Sequence, residues 1–133
     1  MLCTRLLRNL ETCPQAAASK GTKGTIELDR EYAEGLKDVE GFSPIILIYH
    51  FSLVKGSSLM VKPFLDNNLH GVFATRSPGR PNAIGISTIR LTRIESNTLF
   101  IQDVDILDGT PLLDIKPYVP KFDNWKNVKI GLV

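Results

Sequence analysis

Two prolines in one short stretch limit what this chain can fold into. The stretch GVFATRSPGRPNAIGIS, residues 71–87, places Pro78 and Pro81 between two apolar runs. Proline fixes φ and has no N–H to give to a sheet, so SPGRP cannot form the middle of a strand or a helix. We therefore predict a stiff loop, to which Arg76 and Arg80 add two guanidinium groups. A solvated turn whose arginines only favour solubility is the alternative interpretation.

The apolar runs on both sides of this loop predict a mainly β fold. They are short and rich in β-branched and aromatic residues, and turn residues separate them. The predicted strands cover residues 24–29, 44–54, 71–75, 83–94 and 99–107, and a short apolar run follows the turn at 108–109. This pattern is typical of a small, mainly antiparallel β-barrel or sandwich with one or two short helices.

Three local details refine this prediction. Residues 29–42 carry apolar side chains at helical spacing, which predicts a short amphipathic helix with Asp29 as its N-cap. The apolar residues change phase between Ile86 and Ile89, which predicts a β-bulge in that strand. In the turn ESNT, Asn97 is the residue suited to a positive φ.

Length, charge and cysteine content exclude several classes of protein. A chain of 133 residues fits one domain, so we expect a single domain over residues 1–133. A net charge of +2 argues against a DNA-coating protein but allows a local basic patch. No apolar run is long enough for a signal peptide or a membrane span, so no membrane partner is expected. Cys3 and Cys13 fit neither a zinc spacing nor a disulfide framework, which favours a cytoplasmic protein with two free thiols.

Several familiar catalytic motifs are absent from the sequence. Neither GxGxxG after a strand nor GxxxxGK[ST] occurs, so no Rossmann or P-loop nucleotide site is predicted. No GxSxG or Cys–His arrangement indicates a hydrolase. His50 and His70 lack metal-ligand spacing, so no metal site is expected. A structural role is the default for His50, and His70 is the better catalytic candidate because it directly precedes the arginine-bearing stretch.

Two groups of polar residues remain as candidates for a site. The first group is Arg76, Arg80 and Asn82 in the stiff loop, where guanidinium forks could bind a carboxylate or a phosphate. The second group, around the sequence DGTP, consists of Asp105, Asp108, Asp114 and Lys116. An ordinary turn would also explain the Asp-Gly pair. If both loops lie together, they could bind a ligand of mixed charge.

The two polar stretches resemble the signature blocks of a known family. GVFATRSPGRPNAIGIS (71–87) and DILDGTPLLDIKPYVP (105–120) are similar to those of the TsaA-like (TrmO, YaeB) family. The N-terminal half, about residues 10–54, also fits this family, and the resemblance covers about residues 10–122. It implies a small antiparallel β-barrel of the TsaA-like (YaeB-like) type in place of a Rossmann sheet.

The resemblance also implies an activity and a set of site residues. Members of the family are S-adenosylmethionine-dependent methyltransferases, and characterised members N6-methylate threonylcarbamoyladenosine at position 37 of tRNA. The cofactor is expected among the loops, close to a homodimer contact. By match of motif, the cofactor-binding positions are Pro14, Gln15, Phe51, Ser52, Arg76, Ile86, Leu107, Asp108, Gly109 and Thr110.

The chain departs from the family pattern at three places. Ser52 and Pro44 stand where the family usually has histidine, and the N-terminal arginine before Gln15 is absent. On a regular strand, His50 would share a face with Ser52 and could compensate for the lost imidazole. The sequence ends soon after IKPYVP, so the C-terminal domain of larger bacterial members is not expected in it.

The chemistry of methyl transfer predicts roles for the charged residues. Much of the catalysis can be alignment, but a urea-type N6 also needs a proton acceptor, for which Asp108 and Asp114 are the candidates. Arg76 would bind the cofactor carboxylate or a tRNA phosphate. Arg80, Asn82 and Lys116 would contact RNA, although Lys116 can equally be a plain surface lysine.

Three functional hypotheses stay open at this point. The leading one is a tRNA N6-methyltransferase. The second is a methyltransferase of the same fold that acts on another RNA or on a small molecule. The third is a non-catalytic module that binds RNA or a small anion.

Overall fold

The computed structural model describes residues 7–9, 21–63 and 66–131, which form a mainly antiparallel β structure. The strands in these ranges are β1 (Leu7–Asn9), β2 (Lys23–Glu27), β3 (Ile45–His50), β4 (Met60–Val61), β5 (His70–Gly71), β6 (Ile84–Glu95), β7 (Thr98–Gln102) and β8 (Leu112–Pro117). Short 3₁₀-helices cover Arg30–Leu36, Val39–Gly41 and Val72–Ala74, and one α-helix, α1, covers Pro120–Asp123. The predicted mainly β fold with few, short helices is confirmed. No helix in the described ranges is long and apolar enough to cross a membrane.

Six of the strands form one sheet in the order β1-β2-β7-β6-β3-β8, and β4 pairs with β5 separately. The long strand β6 joins two ladders: Ile84–Ile89 pairs with β3, and Arg90–Glu95 pairs with β7. The first half of β6 thus has β3 on one side and no ladder with β7 on the other. Among the described residues no pairing joins β1 to β8, so closure into a barrel stays a prediction.

Side chains from one face of this sheet form the hydrophobic core. The core cluster contains Ile26, Leu28, Leu36, Ile45, Leu47, Tyr49, Ile89, Leu91, Leu99, Ile101, Val104, Ile106 and Leu112. On β3 and β6 every second residue is buried, as a half-buried antiparallel sheet requires. The core therefore fixes which face of β3 and β6 each neighbouring residue occupies.

The bulge predicted between Ile86 and Ile89 is wrong. β6 alternates regularly, with Gly85, Ser87, Ile89 and Leu91 buried and with Ile86 exposed. The apolar residues change phase because Ile84 and Ile86 lie on the exposed face, and small residues occupy the buried face beside them. The irregularity lies further along, between Leu91 and Arg93, where the register with β7 shifts.

Two predicted elements take a different form. The α-helix predicted over 29–42 is wrong: the segment is divided into two 3₁₀-helices, because Asp38 adopts a φ of 70°. The strand predicted over 71–75 is also wrong: only Gly71 lies in a strand, and Val72–Ala74 is a 3₁₀ turn in which the Val72 carbonyl accepts from Thr75 N–H at 3.1 Å. Proline and polar residues after Ala74 give such a short segment no strand partner.

Two predicted positions shift by a few residues. The strand predicted over 44–54 ends at His50, because Ser52 N–H bonds back to the His50 carbonyl at 2.8 Å. In the turn between β6 and β7, Ser96 rather than Asn97 has the positive φ. Asn97 instead donates its side-chain amide to the Leu28 carbonyl at 2.6 Å and so ties the hairpin to β2.

Candidate functional site

The open side of β6 forms one wall of a cleft of about 760 Å³, which we call the main cleft. The end of β3, the proline loop (residues 75–82) and Asp105 supply the other walls. Its lining includes the predicted residues Phe51, Arg76, Arg80, Asn82 and Ile86, together with Tyr49, Pro78, Gly85 and Asp105. The proline loop is thus built into the wall of a cleft, as the hypothesis of a ligand-holding loop requires.

A short hydrogen-bond chain runs across the base of the main cleft. Ser87 Oγ donates to Asp105 Oδ1 at 2.7 Å, and the Tyr49 hydroxyl lies 2.8 Å from Ser87 Oγ. A serine hydroxyl has one proton, so the Tyr49 hydroxyl must be the donor to Ser87. The chain holds the Asp105 carboxylate in place and leaves its second oxygen free of this bond.

Burial of Tyr49 and the charges around it shift its ionisation. Burial is the largest effect and raises the pKa of the Tyr49 hydroxyl above its ordinary value of 10.0. Of the nearby charges, the Asp105 carboxylate raises this pKa further and the Arg76 guanidinium lowers it. The Tyr49 hydroxyl therefore stays protonated at neutral pH and acts as a hydrogen-bond donor.

Two aromatic rings pack against a glycine beside this chain. The rings of Tyr49 and Phe51 meet edge to face, with centroids 5.4 Å apart. A Cβ atom on Gly85 would overlap the Tyr49 ring and would lie 2.7 Å from Phe51 Cζ. Gly85 is therefore the residue that lets both rings pack closely against β6.

The two arginines of the proline loop have different environments. Arg80 Nη1 donates to the Thr75 carbonyl at 2.8 Å and to the Ser77 carbonyl at 3.3 Å, so this side chain braces the loop from within. The exposed Arg76 guanidinium makes no hydrogen bond or ion pair with another described residue. Arg76 is consequently the loop cation that is available to a ligand.

A smaller cleft of about 270 Å³, the side cleft, adjoins the main one. The two clefts share Tyr49, Phe51, Pro78 and Asp105, and the side cleft adds the predicted residues Ser52, Leu107 and Thr110. The turn LDGT forms the edge of the side cleft. It is a tight turn, because Thr110 N–H and Oγ1 both donate to the Leu107 carbonyl and Gly109 has a φ of 81°. Residues from both sequence blocks therefore meet around one continuous depression.

A third cleft of about 530 Å³ adjoins the main one on another side. We call it the histidine cleft, because His50 lines it together with Val54, Gly56, Ser57 and Leu113. It shares Arg80, Pro81, Asn82 and Ile84 with the main cleft. The proline loop thus separates two clefts and contributes side chains to both.

Substitution of the missing family histidine by His50 is not supported by this arrangement. β3 ends at His50, and the chain turns at residues 51–54, so the strand alternation does not continue to Ser52. His50 lines the histidine cleft, whereas Ser52 lines the side cleft. The two residues serve different surfaces.

Several predicted residues line none of the three clefts. Asp114 pairs with Lys116 at 2.8 Å on β8, so each charge is committed to the other. Asp108 and Gly109 lie in the exposed turn at the edge of the side cleft. His70 is bonded to Asp66 at 2.7 Å beside the β4–β5 pair. Pro14 and Gln15 lie outside the described residues.

The site also contains residues that the motifs did not single out. Tyr49 and Ser87 fall in runs with an ordinary strand pattern. Asp105 belongs to the second candidate group, but the sequence assigns it no role in catalysis or cofactor binding. Only the pairing of β3 with β6, which sets Tyr49 opposite Gly85, reveals their proximity. Within residues 7–9, 21–63 and 66–131, no group of three His, Cys, Asp or Glu residues is arranged to hold a metal ion.

Comparisons with known proteins show which family this chain resembles. Residues 3–124 match the family described as the tRNA-methyltransferase O N-terminal domain. The chain is 61% identical over 117 residues to a probable S-adenosyl-L-methionine-binding protein of Pyrococcus abyssi, covering 88% of this chain and 64% of that protein. It is 39% identical over 100 residues to the mouse tRNA (adenine(37)-N6)-methyltransferase, covering 71% of this chain and 23% of that protein.

A solved structure has the same fold. The crystal structure of TrmO from Pseudomonas aeruginosa superimposes with a TM-score of 0.78 at 32% identity, covering 98% of this chain and 60% of that one. The chain spans less than two thirds of the length of each of these three proteins.

Proposed function

This chain belongs to the family of the tRNA-methyltransferase O N-terminal domain, and we propose that it is an S-adenosylmethionine-dependent methyltransferase that modifies N6 of adenosine 37 in tRNA. We further propose that the adenosine carries a threonylcarbamoyl group, as the sequence resemblance implies. Relatives named as S-adenosyl-L-methionine-binding proteins and as tRNA (adenine(37)-N6)-methyltransferases support the two halves of this proposal.

The observation that carries the proposal is the charge pattern of the main cleft. An uncommitted guanidinium, Arg76, and a braced carboxylate, Asp105, line the same cleft as the rings of Tyr49 and Phe51. The cofactor has a carboxylate, an ammonium, a sulfonium and an adenosine, and each finds a complementary group here. At about 760 Å³, the cleft is also in the usual size range for a small-molecule site.

These residues suggest how the cofactor is held. Arg76 would pair with its carboxylate, Asp105 would accept from its ammonium or ribose, and the side cleft would offer the Leu107–Thr110 turn. When bound, S-adenosylmethionine supplies a methyl group already activated by the sulfonium, so the protein mainly aligns the two substrates. The Tyr49–Ser87–Asp105 chain reduces the reorganisation needed for that alignment.

The methyl acceptor also needs a group that takes its proton. Asp108 remains the candidate, because its turn borders the side cleft and the residue is exposed. Asp114 is a weaker candidate than the sequence suggested, since Lys116 already neutralises its charge. For the same reason we do not retain Lys116 as an RNA contact.

We also propose that the protein is a homodimer located in the cytoplasm, where its tRNA substrate is found. Large apolar side chains surround the clefts with high exposure, and a second copy of the chain would cover them. They are Leu53, Phe73, Ile84, Ile86 and Leu107, which we call the apolar rim.

Calorimetric titration with S-adenosylmethionine tests the cofactor half of the proposal. Arg76→Ala should raise the Kd by about 10- to 100-fold, because it removes a charge-assisted contact. Arg90→Ala is the matched control, because Arg90 is exposed, lies 3.6 Å from Asp103 and lines none of the clefts. The Kd of this variant for S-adenosylmethionine should equal that of the parent. Equal affinity in the parent and Arg76→Ala would contradict the assignment of the proline loop.

Nucleoside analysis tests the acceptor half. The parent protein is incubated with methyl-labelled cofactor and with tRNA that carries threonylcarbamoyladenosine but no N6-methyl group. The tRNA is then digested, and the masses of its nucleosides are measured by mass spectrometry. One added methyl group on that nucleoside is the expected result. Label on another nucleoside or on a small molecule would support the second hypothesis, and an absence of cofactor binding would support the third.

A further inference from the structure

The histidine cleft has a chemistry different from that of the main cleft. Its polar lining is His50, Ser57, Arg80 and Asn82, and no carboxylate lines it. The main cleft, in contrast, contains Asp105. A site with hydrogen-bond donors and one fixed positive charge favours an anion such as a phosphate.

Most hydrogen-bonding side-chain groups of this cleft are not used by the part of the chain that the structure describes. The side chains of His50, Ser57 and Asn82 make no hydrogen bond with another described residue, and Arg80 uses only Nη1 to brace the proline loop. The Nε and Nη2 groups of Arg80 are left for another partner. Four side chains with unused hydrogen-bonding groups therefore converge on one cleft of about 530 Å³.

The walls of the histidine cleft are tied together. Ser58 N–H donates to the Gly79 carbonyl at 3.1 Å, which joins the loop after β3 to the proline loop. On the other side, His50 N–H donates to the Pro111 carbonyl at 2.9 Å. The cleft is consequently formed by braced backbone segments before any ligand arrives, which lowers the cost of binding.

We propose that the histidine cleft is the subsite for an RNA phosphate next to the nucleotide that presents its base to the cofactor in the main cleft. The inference rests on the proposed function and adds to it a second binding site. Arg80, Pro81, Asn82 and Ile84 are common to both clefts, so the two sites are contiguous across the proline loop. One RNA strand can therefore place a base on one side of the loop and a neighbouring phosphate on the other.

Fluorescence anisotropy with a labelled, N6-unmethylated tRNA tests this subsite. His50→Ala should raise the Kd for this tRNA by about 5- to 10-fold, because a direct contact to a phosphate is lost. Its Kd for S-adenosylmethionine, measured by calorimetry, should stay equal to that of the parent. His70→Ala is the matched control, since His70 is bonded to Asp66 and lines none of the clefts, and it should bind tRNA as the parent does.

A second variant protects the test against a local folding defect. Asn82→Ala should also raise the Kd for tRNA, as His50→Ala does. Arg80 is not suitable for substitution, because removal of its side chain would also break the hydrogen bonds that brace the proline loop. Adenosine monophosphate is titrated in parallel, and His50→Ala should change its binding much less than it changes tRNA binding. The proposal would be overturned if His50→Ala weakened the binding of adenosine monophosphate but left the binding of tRNA unchanged.

The outcomes separate this inference from the proposed function. If the parent binds both cofactor and tRNA but His50→Ala binds tRNA within twofold of the parent, the subsite is overturned and the proposed function stands. If the parent binds the cofactor and no tRNA, the RNA half of the proposed function fails, and the subsite fails with it.

Discussion

At the scale of single residues, Tyr49 shows how burial and function are linked. The ring is part of the hydrophobic core, with 5% of its surface exposed, while its hydroxyl reaches Ser87 and, through Ser87, Asp105. The core packing that stabilises the sheet thereby also fixes a carboxylate at the site. Asp105 lies in the loop after β7, and Ser87 of β6 holds its carboxylate by a hydrogen bond of 2.7 Å.

The ionisation of Tyr49 gives a prediction for alkaline pH. Because burial raises the folded-state pKa above 10.0, the unfolded state loses its proton first as pH rises. The protonated Tyr49 hydroxyl therefore contributes to the free energy of unfolding in full below about pH 10, and this contribution is lost as pH rises through the folded-state pKa. Urea unfolding at a series of pH values should show a steeper alkaline decrease in the free energy of unfolding for the parent than for Tyr49→Phe. Parallel curves would contradict the buried, protonated hydroxyl.

At the scale of elements, the pairing of β3 with β6 is what builds the main cleft. The register sets Tyr49 opposite Gly85 and Ile48 opposite Ile86. The buried face then has room for two aromatic rings because β6 has no side chain at that position. Ile84 and Ile86 face the other way and line the edge of the cleft. Residues 84–91, which look like an interrupted apolar strand, thus alternate regularly, and the exposed Ile84 and Ile86 line the main cleft.

Gly85→Ala tests this element directly. The added methyl would overlap the Tyr49 ring and crowd Phe51, so we expect a loss of about 1–3 kcal/mol in the free energy of unfolding. Cofactor affinity should fall as well, since displacement of Tyr49 breaks the chain to Asp105. Gly35→Ala is the matched control, because no atom lies within 4 Å of the added methyl, and it should be neutral or slightly stabilising. Similar stability of both variants in urea would refute the packing argument.

At the scale of the whole molecule, the distribution of exposed apolar side chains is uneven. The apolar rim lies around the clefts, and a second exposed group lies in the C-terminal segment, where Trp125 and Ile130 are 77% and 66% exposed. Lysines are interleaved with the second group, at 121, 126 and 129, whereas Lys55 is the one lysine within three residues of a rim residue in the sequence. A homodimer would cover the rim, whose five exposed side chains are all apolar.

Sedimentation velocity distinguishes the two groups. The parent should sediment as a dimer of the 14.8 kDa chain, and Leu53→Lys should shift it toward the monomer, because an unpaired ammonium would be buried at the contact. Ile130→Lys, a matched change outside the rim, should leave the dimer intact. A monomeric parent at every concentration would contradict the proposed dimer, and a shift caused equally by both variants would contradict the role of the rim.

The sequence alone determined the features that depend on neighbouring residues. Prolines at 78 and 81 required a loop, β-branched runs produced strands at 23–27, 84–95 and 98–102, and the two signature blocks indicated the family. These features are set by backbone sterics and local composition, which one stretch of chain carries by itself.

The tertiary structure alone decided which of the candidate residues line the clefts. Asp105, and neither Asp108 nor Asp114, lines the main cleft, because Ser87 and Tyr49 hold it there from two other strands. Arg76 and Arg80 are equivalent in sequence, yet one braces the loop and the other is left for a ligand. Which side chains line the clefts depends on which strands pair and in what register. That pairing depends on the packing of the whole core, which no single stretch of the sequence determines.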